Sequence, residues 1–312
     1  MALLKDKYIY HTRKKKKGKF IILGIFAILF AAIISGIIFL ISNIINPRNS
    51  SKLNNVTIEN LWSVKNYNDI INKCDELLIK NPLDSYLLAY KGFSCFYKAD
   101  SEIEEKNLYY DKAIIALRKA LINKNAVFRK EIYFILGISY FYKDKYYNDL
   151  AVKYIEKSIE LGMESADAYI RLGLAYGKLG NNEKELMYLL KAVEDNSADW
   201  LFLLIGKSYF KNNQFDKAEE YLLRYINRTD DPKTEQEARF RLGEIYMARE
   251  DYLKAEEQYN EILKLDNRSA EAHFNLGEIY FKFQNIVKAR AEWRETLRID
   301  PSHYGAKLRY YK

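Results

Sequence analysis

Residue types that carry chemistry are scarce in this chain of 312 residues. It has three histidines, His11, His273 and His303, and two cysteines, Cys74 and Cys95. Two thiols are too few for a disulfide framework or a zinc knuckle, although a single bridge in an oxidising compartment stays open. No glycine-rich phosphate loop, zinc-protease helix motif, nucleophile elbow or paired-cysteine motif occurs. The composition therefore points away from an enzyme and implies no cofactor, no metal and no small-molecule substrate. Four prolines and thirteen glycines are also few, which suits a mostly helical protein.

Charge is present but unevenly placed. Residues 1–19 hold eight Lys or Arg against one acid, Asp6, and so supply +7 of the net +8. The rest carries 42 basic and 41 acidic residues, which gives no electrostatic footprint for nucleic acid. Phe20 to Ile45 is a run of 26 residues without a charge. At about 1.5 Å per residue it is long enough to cross a hydrocarbon layer roughly 30 Å thick, and it exceeds the apolar core of a cleaved signal peptide. It reads as a single transmembrane helix. Arg48 and Lys52 are the only nearby basic residues behind it, so residues 1–19 stay in the cytoplasm and the remainder crosses. Residues 46–59 are polar and read as a tether.

Two amphipathic patterns joined by Gln284-Asn285 fill Ala270 to Pro301. Leu276, Gly277 and Tyr280 share one helical face, as do Ala289, Trp293 and Leu297. Thirty-four residues upstream the same order recurs in Leu242, Gly243 and Tyr246, then Ala255, Tyr259 and Leu263. Gly92, Gly137, Gly173, Gly206, Gly243 and Gly277 mark successive first helices. Ala113, Ala151, Glu185, Ala218, Ala255 and Ala289 mark the second ones. A glycine and an alanine at these places let two antiparallel helices approach closely. The arrangement resembles the tetratricopeptide repeat family, with Gly277 and Ala289 as close-approach residues, Trp293 and Tyr280 as large fillers and Pro301 as the stop.

The glycine spacings of 45, 36, 33, 37 and 34 residues place insertions in turns: around Ala99 to Asn107, near Tyr146-Tyr147, and at Thr229 to Pro232. Glu185 breaks the pattern, because a carboxylate between helices must be paired or reach solvent. Either that hairpin is splayed or the side chain reaches out. Gly162 replaces a closing proline as a left-handed cap. The acid pairs Glu104-Glu105, Glu219-Glu220 and Glu256-Glu257 read as helix ends and solvated faces. Tyr304, Leu308 and Tyr311 are available to cover the last hairpin.

The resemblance implies an all-α solenoid, a superhelix of about seven helical hairpins over residues 60–312 with a C-terminal capping helix, preceded by the membrane helix. It also implies a concave groove lined by first helices. The groove positions in the amino-terminal half are Phe93, Phe96 and Tyr97, then Phe134, Ile138, Phe141 and Tyr142. Phe210 is a later one. An apolar row of this kind suits a helix or extended peptide of a partner protein, while neighbouring hairpins or the tether are the other candidates to fill it. The carboxylate clamp of chaperone-binding relatives is not expected, since Ala89, Phe134 or Ile138, and Leu203 stand at its places.

The combined expectation is a non-catalytic scaffold in the cell (inner) membrane, its repeats periplasmic or extracellular, that binds partner proteins and assembles or steadies a complex. A tethered chaperone that holds client chains transiently is the alternative. The anchor has a direct check: the protein should stay in membranes through an alkaline carbonate wash, and protease admitted to the extracytoplasmic side should degrade the repeats while sparing residues 1–19.

Overall fold

The computed structural model describes residues 49–143, 145–195 and 198–311. The basic tail and the apolar run Phe20 to Ile45, read above as a membrane span, lie outside them. Among the described residues no helix is long and apolar enough to cross a membrane. These residues form fifteen α-helices and no strand, in two compact units, 49–181 and 182–311.

The first unit runs α1 (Asn49–Ser63), α2 (Tyr67–Leu78), α3 (Ser85–Lys98), α4 (Lys106–Ala120), α5 (Arg129–Lys143), a short turn of 3-10 helix (Lys145–Tyr147), α6 (Asn148–Glu160) and α7 (Ala166–Lys178). The second runs α8 (Asn182–Asp195), α9 (Asp199–Lys211), α10 (Phe215–Ile226), α11 (Pro232–Ala248), α12 (Tyr252–Leu265), α13 (Ala270–Lys282), α14 (Ile286–Ile299) and α15 (Tyr304–Tyr310). Within each unit a helix packs on its chain neighbours, and first helices of adjacent hairpins also touch, as α3 does α5 and α9 does α11. Such stacks are held together by nearest-neighbour contacts alone.

The turn inside a hairpin has a recurring grammar. Lys65, Gly180, Asn213, Glu250 and Gln284 each adopt a left-handed backbone there. For the residues with a Cβ this costs about 1 kcal/mol. In three turns the next residue offsets that by capping the second helix: Asn66, Asp251 and Asn285 accept from the N–H groups of Asp69, Lys254 and Lys288 at 3.3, 3.3 and 3.1 Å. Gly162 closes α6 as expected, with φ +89° and the two backbone bonds of a Schellman end, Gly162 to Ile159 and Met163 to Ser158. The insertion between α3 and α4 is an exposed turn.

At Gly92, Gly137, Gly206, Gly243 and Gly277 the tight position is filled by the large side chain one turn beyond the alanine. A Cβ built on Gly137 would stand 2.6 Å from Ile155 Cγ1 and 3.1 Å from the Ala151 carbonyl oxygen. One on Gly206 would meet Leu222 Cγ at 2.8 Å, and one on Gly243 would meet Tyr259 Cζ at 2.6 Å. Gly92 faces Leu117 and Gly277 faces Trp293 in the same way. Adjacent hairpins are joined by tyrosines three residues after the glycine. Tyr246 donates to Glu219 at 2.7 Å, Tyr280 donates to Glu256 at 2.8 Å, and Tyr176 donates to Glu156. Glu219 and Glu256 are thus interhelical acceptors rather than the solvated acids expected of those runs; burial disfavours the Glu219 charge, and the Tyr246 and Arg249 donors more than offset it, holding that carboxyl below its usual range.

Three further expectations are corrected. Residues 49–59 belong to α1 rather than to a tether, because Ile58, Leu61 and Trp62 form a helical stripe over Ile70, Cys74, Leu87 and Tyr90. Tyr304 and Leu308 on α15, and Tyr311 just after it, face outward. The covering face is Ala306 with Tyr310, packed with Ala289, Trp293 and Phe274, because Gly305 lets α15 lie directly against the Phe274 ring. Tyr311 stands one 34-residue step past Gly277, where earlier units carry glycine. Finally, Glu185 does not reach solvent. It is buried, and the Lys211 ammonium on α9 donates to its two oxygens at 3.1 and 2.9 Å.

That pair generates a test. Lys211→Ala leaves a buried carboxylate without its donor and should lower unfolding free energy by about 1–3 kcal/mol. Adding Glu185→Ala, which supplies the residue found in the other repeats, should recover most of the loss in urea titrations.

Candidate partner-binding face

The eight residues assigned to the groove fall on three first helices. Phe93, Phe96 and Tyr97 lie on α3, Phe134, Ile138, Phe141 and Tyr142 on α5, and Phe210 on α9. Five of them, Phe93, Phe96, Phe134, Ile138 and Phe141, are at most 8% exposed. Their cover comes from the chain itself. Trp62 of α1 lies 6.3 Å from the Phe93 ring, and Phe128 reaches the same ring at 6.4 Å from the α4–α5 connection. The Lys178 ammonium sits 3.6 Å above the ring of Phe141. Tyr97, Tyr142 and Phe210 remain half-buried and keep an edge to solvent.

In the first unit the rings form a connected row. Tyr67 stacks on Tyr97 at 5.6 Å, Tyr97 touches Phe96 at 5.3 Å, Phe96 touches Tyr110 at 5.9 Å, and Tyr110 stacks on Tyr142 at 5.8 Å. Each such pair contributes about 0.5–1.5 kcal/mol beyond its buried area, so the row locks four helices to one another. Burial pushes the Tyr97 hydroxyl up to about 12 and the Tyr110 hydroxyl higher still, so both phenols stay neutral at physiological pH.

A second feature escaped the sequence reading. Arg171, Arg241 and Arg309 each stand two residues before the tight position of their own repeat, and each roofs an aromatic ring of the preceding first helix. The guanidinium of Arg171 lies 5.3 Å from the Tyr142 ring, that of Arg241 5.4 Å from Phe210, and that of Arg309 5.4 Å from Phe281. Carboxylates hold the roofs in place: Asp167 for Arg171 at 3.1 Å, Glu244 for Arg241 at 2.6 Å and Glu278 for Arg309 at 2.9 and 2.7 Å. The repeated Arg-Leu-Gly at 171–173 and 241–243 was the available signal. Such a surface offers cation–π roofs, tyrosine edges and paired charges, all suited to polar and aromatic side chains of a protein ligand.

His273 and His303 make local contacts, and His11 lies outside the described residues. His273 Nδ1 lies 2.6 Å from Glu292 Oε2. His303 caps α15 through Nδ1, which accepts from the Ala306 N–H at 3.1 Å, and its ring lies 4.7 Å from Phe274. Among the described residues no group of three or more His, Cys, Asp or Glu is placed to hold a metal ion. Cys74 and Cys95 are free and buried.

Models of the tetratricopeptide repeat match residues 166–196, 201–231 and 270–303, and a TPR repeat model matches 243–283. Between residues 166 and 303 the chain is thus similar to tetratricopeptide repeats. Two of the matched windows begin where a first helix begins, at Ala166 and Ala270. A TPR repeat-containing protein of Methanocaldococcus jannaschii is 29% identical over 168 residues, which is 52% of this chain and 28% of that protein. Among solved structures, the C-terminal part of a TPR repeat-containing protein from Cytophaga hutchinsonii matches with a TM-score of 0.62 at 18% identity, covering 81% of this chain and 98% of that one. The MamA protein matches with a TM-score of 0.50 at 19% identity, over 55% of this chain and 92% of its own. At these identities the two structures speak to the fold alone.

Burial pushes Cys74 up to about 12 and Cys95 to about 11, so both stay protonated well above the pH at which an exposed thiol ionises. Iodoacetamide at pH 8 should label neither cysteine in the native repeats and both in denaturant. Labelling that reaches the denatured level without denaturant would contradict their burial.

Proposed function

We propose that this protein is a membrane-anchored scaffold whose tetratricopeptide repeats bind partner proteins and assemble or steady a complex on the extracytoplasmic side of a cell membrane. The observation that carries the binding part is the face just described. In the first unit the aromatic row is packed by the chain's own rings, is roofed at Tyr142 by Arg171 and leaves Tyr97 and Tyr142 half-open; in the second unit Arg241 roofs the half-open Phe210. A preorganised surface loses little conformational entropy on association, which favours docking a folded or extended protein segment.

Because Phe93, Phe96, Phe134, Ile138 and Phe141 are covered, the ligand meets aromatic edges, hydroxyls and ion pairs rather than an open apolar trench. The anchor and the side of the membrane rest on the uncharged run Phe20 to Ile45 and on the eight basic residues before it. The role proposed is non-catalytic.

Crosslinking in intact cells, followed by mass spectrometry, tests the reading. The parent should capture a protein in stoichiometric amount that survives high salt. Tyr97→Ala, Tyr142→Ala and Phe210→Ala together should lose it while helicity is kept, since interface aromatics carry a disproportionate share of binding energy. Unchanged capture by the triple variant would sink the assignment of this face. Exchangeable, substoichiometric capture of unfolded chains would instead identify a holding chaperone.

A further inference from the structure

Residues 282–312 hold eight Lys or Arg against three acids, while residues 20–281 hold 34 against 38. The last hairpin is therefore basic in a body that is otherwise slightly acidic. On α14 the excess is ordered. Arg290, Arg294 and Arg298 follow one another at intervals of four residues, so they form a row along one helix face at about 6 Å per step, and all three are exposed. Other second helices of this unit offset such bases on their own surface, as Glu220 does Arg224 at 3.9 Å on α10 and Glu261 does Lys264 on α12. The acids of α14 are engaged elsewhere: Glu295 holds Arg298 at 3.0 and 2.8 Å, and Glu292 lies 2.6 Å from His273. Among the described residues no carboxylate pairs with Arg290 or Arg294. Like charges four residues apart weaken a helix, so the row destabilises α14 while it stands alone.

The opposite arrangement occurs in the first unit, in the turn inserted between α3 and α4. Ala99 to Glu105 carries Asp100, Glu102, Glu104 and Glu105 and no base, and Ile103 among them is 81% exposed. Glu102 lies 3.9 Å from Lys98, whereas Glu104 and Glu105 have no ion-pair partner among the described residues. The stacking of hairpins does not call for this length of chain. The turns at 212–214, 249–251 and 283–285 reverse direction with three residues each.

We propose that Arg290 and Arg294 of one copy dock the Glu102 to Glu105 turn of a second copy, with Ile103 lying against Val287, which is 83% exposed just before the row. An unpaired basic row and an unpaired acidic turn in one chain are complementary in sign and present in equal number, which specifies a second copy as the occupant. The contact joins two different surfaces. Each docked pair therefore keeps one free row and one free turn, and copies add head to tail instead of closing at two. Ion pairs at an exposed surface are screened by salt, so this association is salt-sensitive, unlike the salt-resistant capture of a partner on the aromatic face.

Two differently tagged copies of the full chain, co-expressed and solubilised in mild detergent, test this by capture of one through the tag on the other. Parent copies should capture each other at about 50 mM salt and separate at about 500 mM, where the screening length is roughly threefold shorter. Arg290→Glu with Arg294→Glu should abolish self-capture, and so should Glu104→Arg with Glu105→Arg. Mixing these two variants should restore it, because the native row of the second then meets the native turn of the first. Circular dichroism checks that both keep their helices, and Arg290→Gln with Arg294→Gln replaces the reversed row if reversal unfolds the chain. Parent copies that do not capture each other overturn the proposal, whether an acidic protein, anionic lipid or the turn of the same chain meets the row. So do a row variant that self-captures as well as the parent and a folded mixture that fails to recover capture.

Discussion

Everything in the described helices depends on how closely two of them approach at one point per hairpin. Glycine on the first helix removes the Cβ that would collide with Leu117, Ile155, Leu222, Tyr259 or Trp293 on the second. The alanine one turn earlier on that second helix keeps the backbones near enough for this to happen. Because the large side chain is seated against bare backbone, both its position and the crossing of the helices are set, since packed interiors tolerate neither voids nor overlap. The tyrosine three residues on from the glycine then reaches the previous hairpin. One interaction thus orders the pair, and its neighbour in the chain orders the stack.

This logic was legible in the residues because it is periodic. The glycines, the alanines, the turn residues and the insertions all lie where spacing put them. The less legible parts depend on residues far apart in the chain or on a local choice of face. Glu185 looked like a defect because its partner, Lys211, lies 26 residues away on another helix. Residues 49–59 looked like a tether because asparagine and serine obscure a stripe that begins at Ile58 and ends at Trp62. On α15 two faces were available, and bulk suggested Tyr304, Leu308 and Tyr311. The small face won instead, since Gly305 and Ala306 permit the closer contact.

The candidate face shows the same division. Register puts its eight residues on first helices, but accessibility is not a property of register. Trp62, Phe128 and Lys178 cover the row from three separate elements. The arginine roofs add a rule that one repeat cannot display: the guanidinium serves a ring in the preceding unit, so its role appears only across the stack. The surface that results is amphipathic and internally paired. Its selectivity would come from geometry more than from net charge.

The phenol bridges bear on how such an array would yield under load. Tyr246 to Glu219 and Tyr280 to Glu256 each tie one hairpin to the hairpin before it by a directional bond between helices. Such a bond is lost when its partners move apart by a fraction of an ångström, whereas sliding apolar contacts give up area gradually. Strain in the second unit would therefore concentrate at the boundaries between hairpins, which would part there before any hairpin came undone internally.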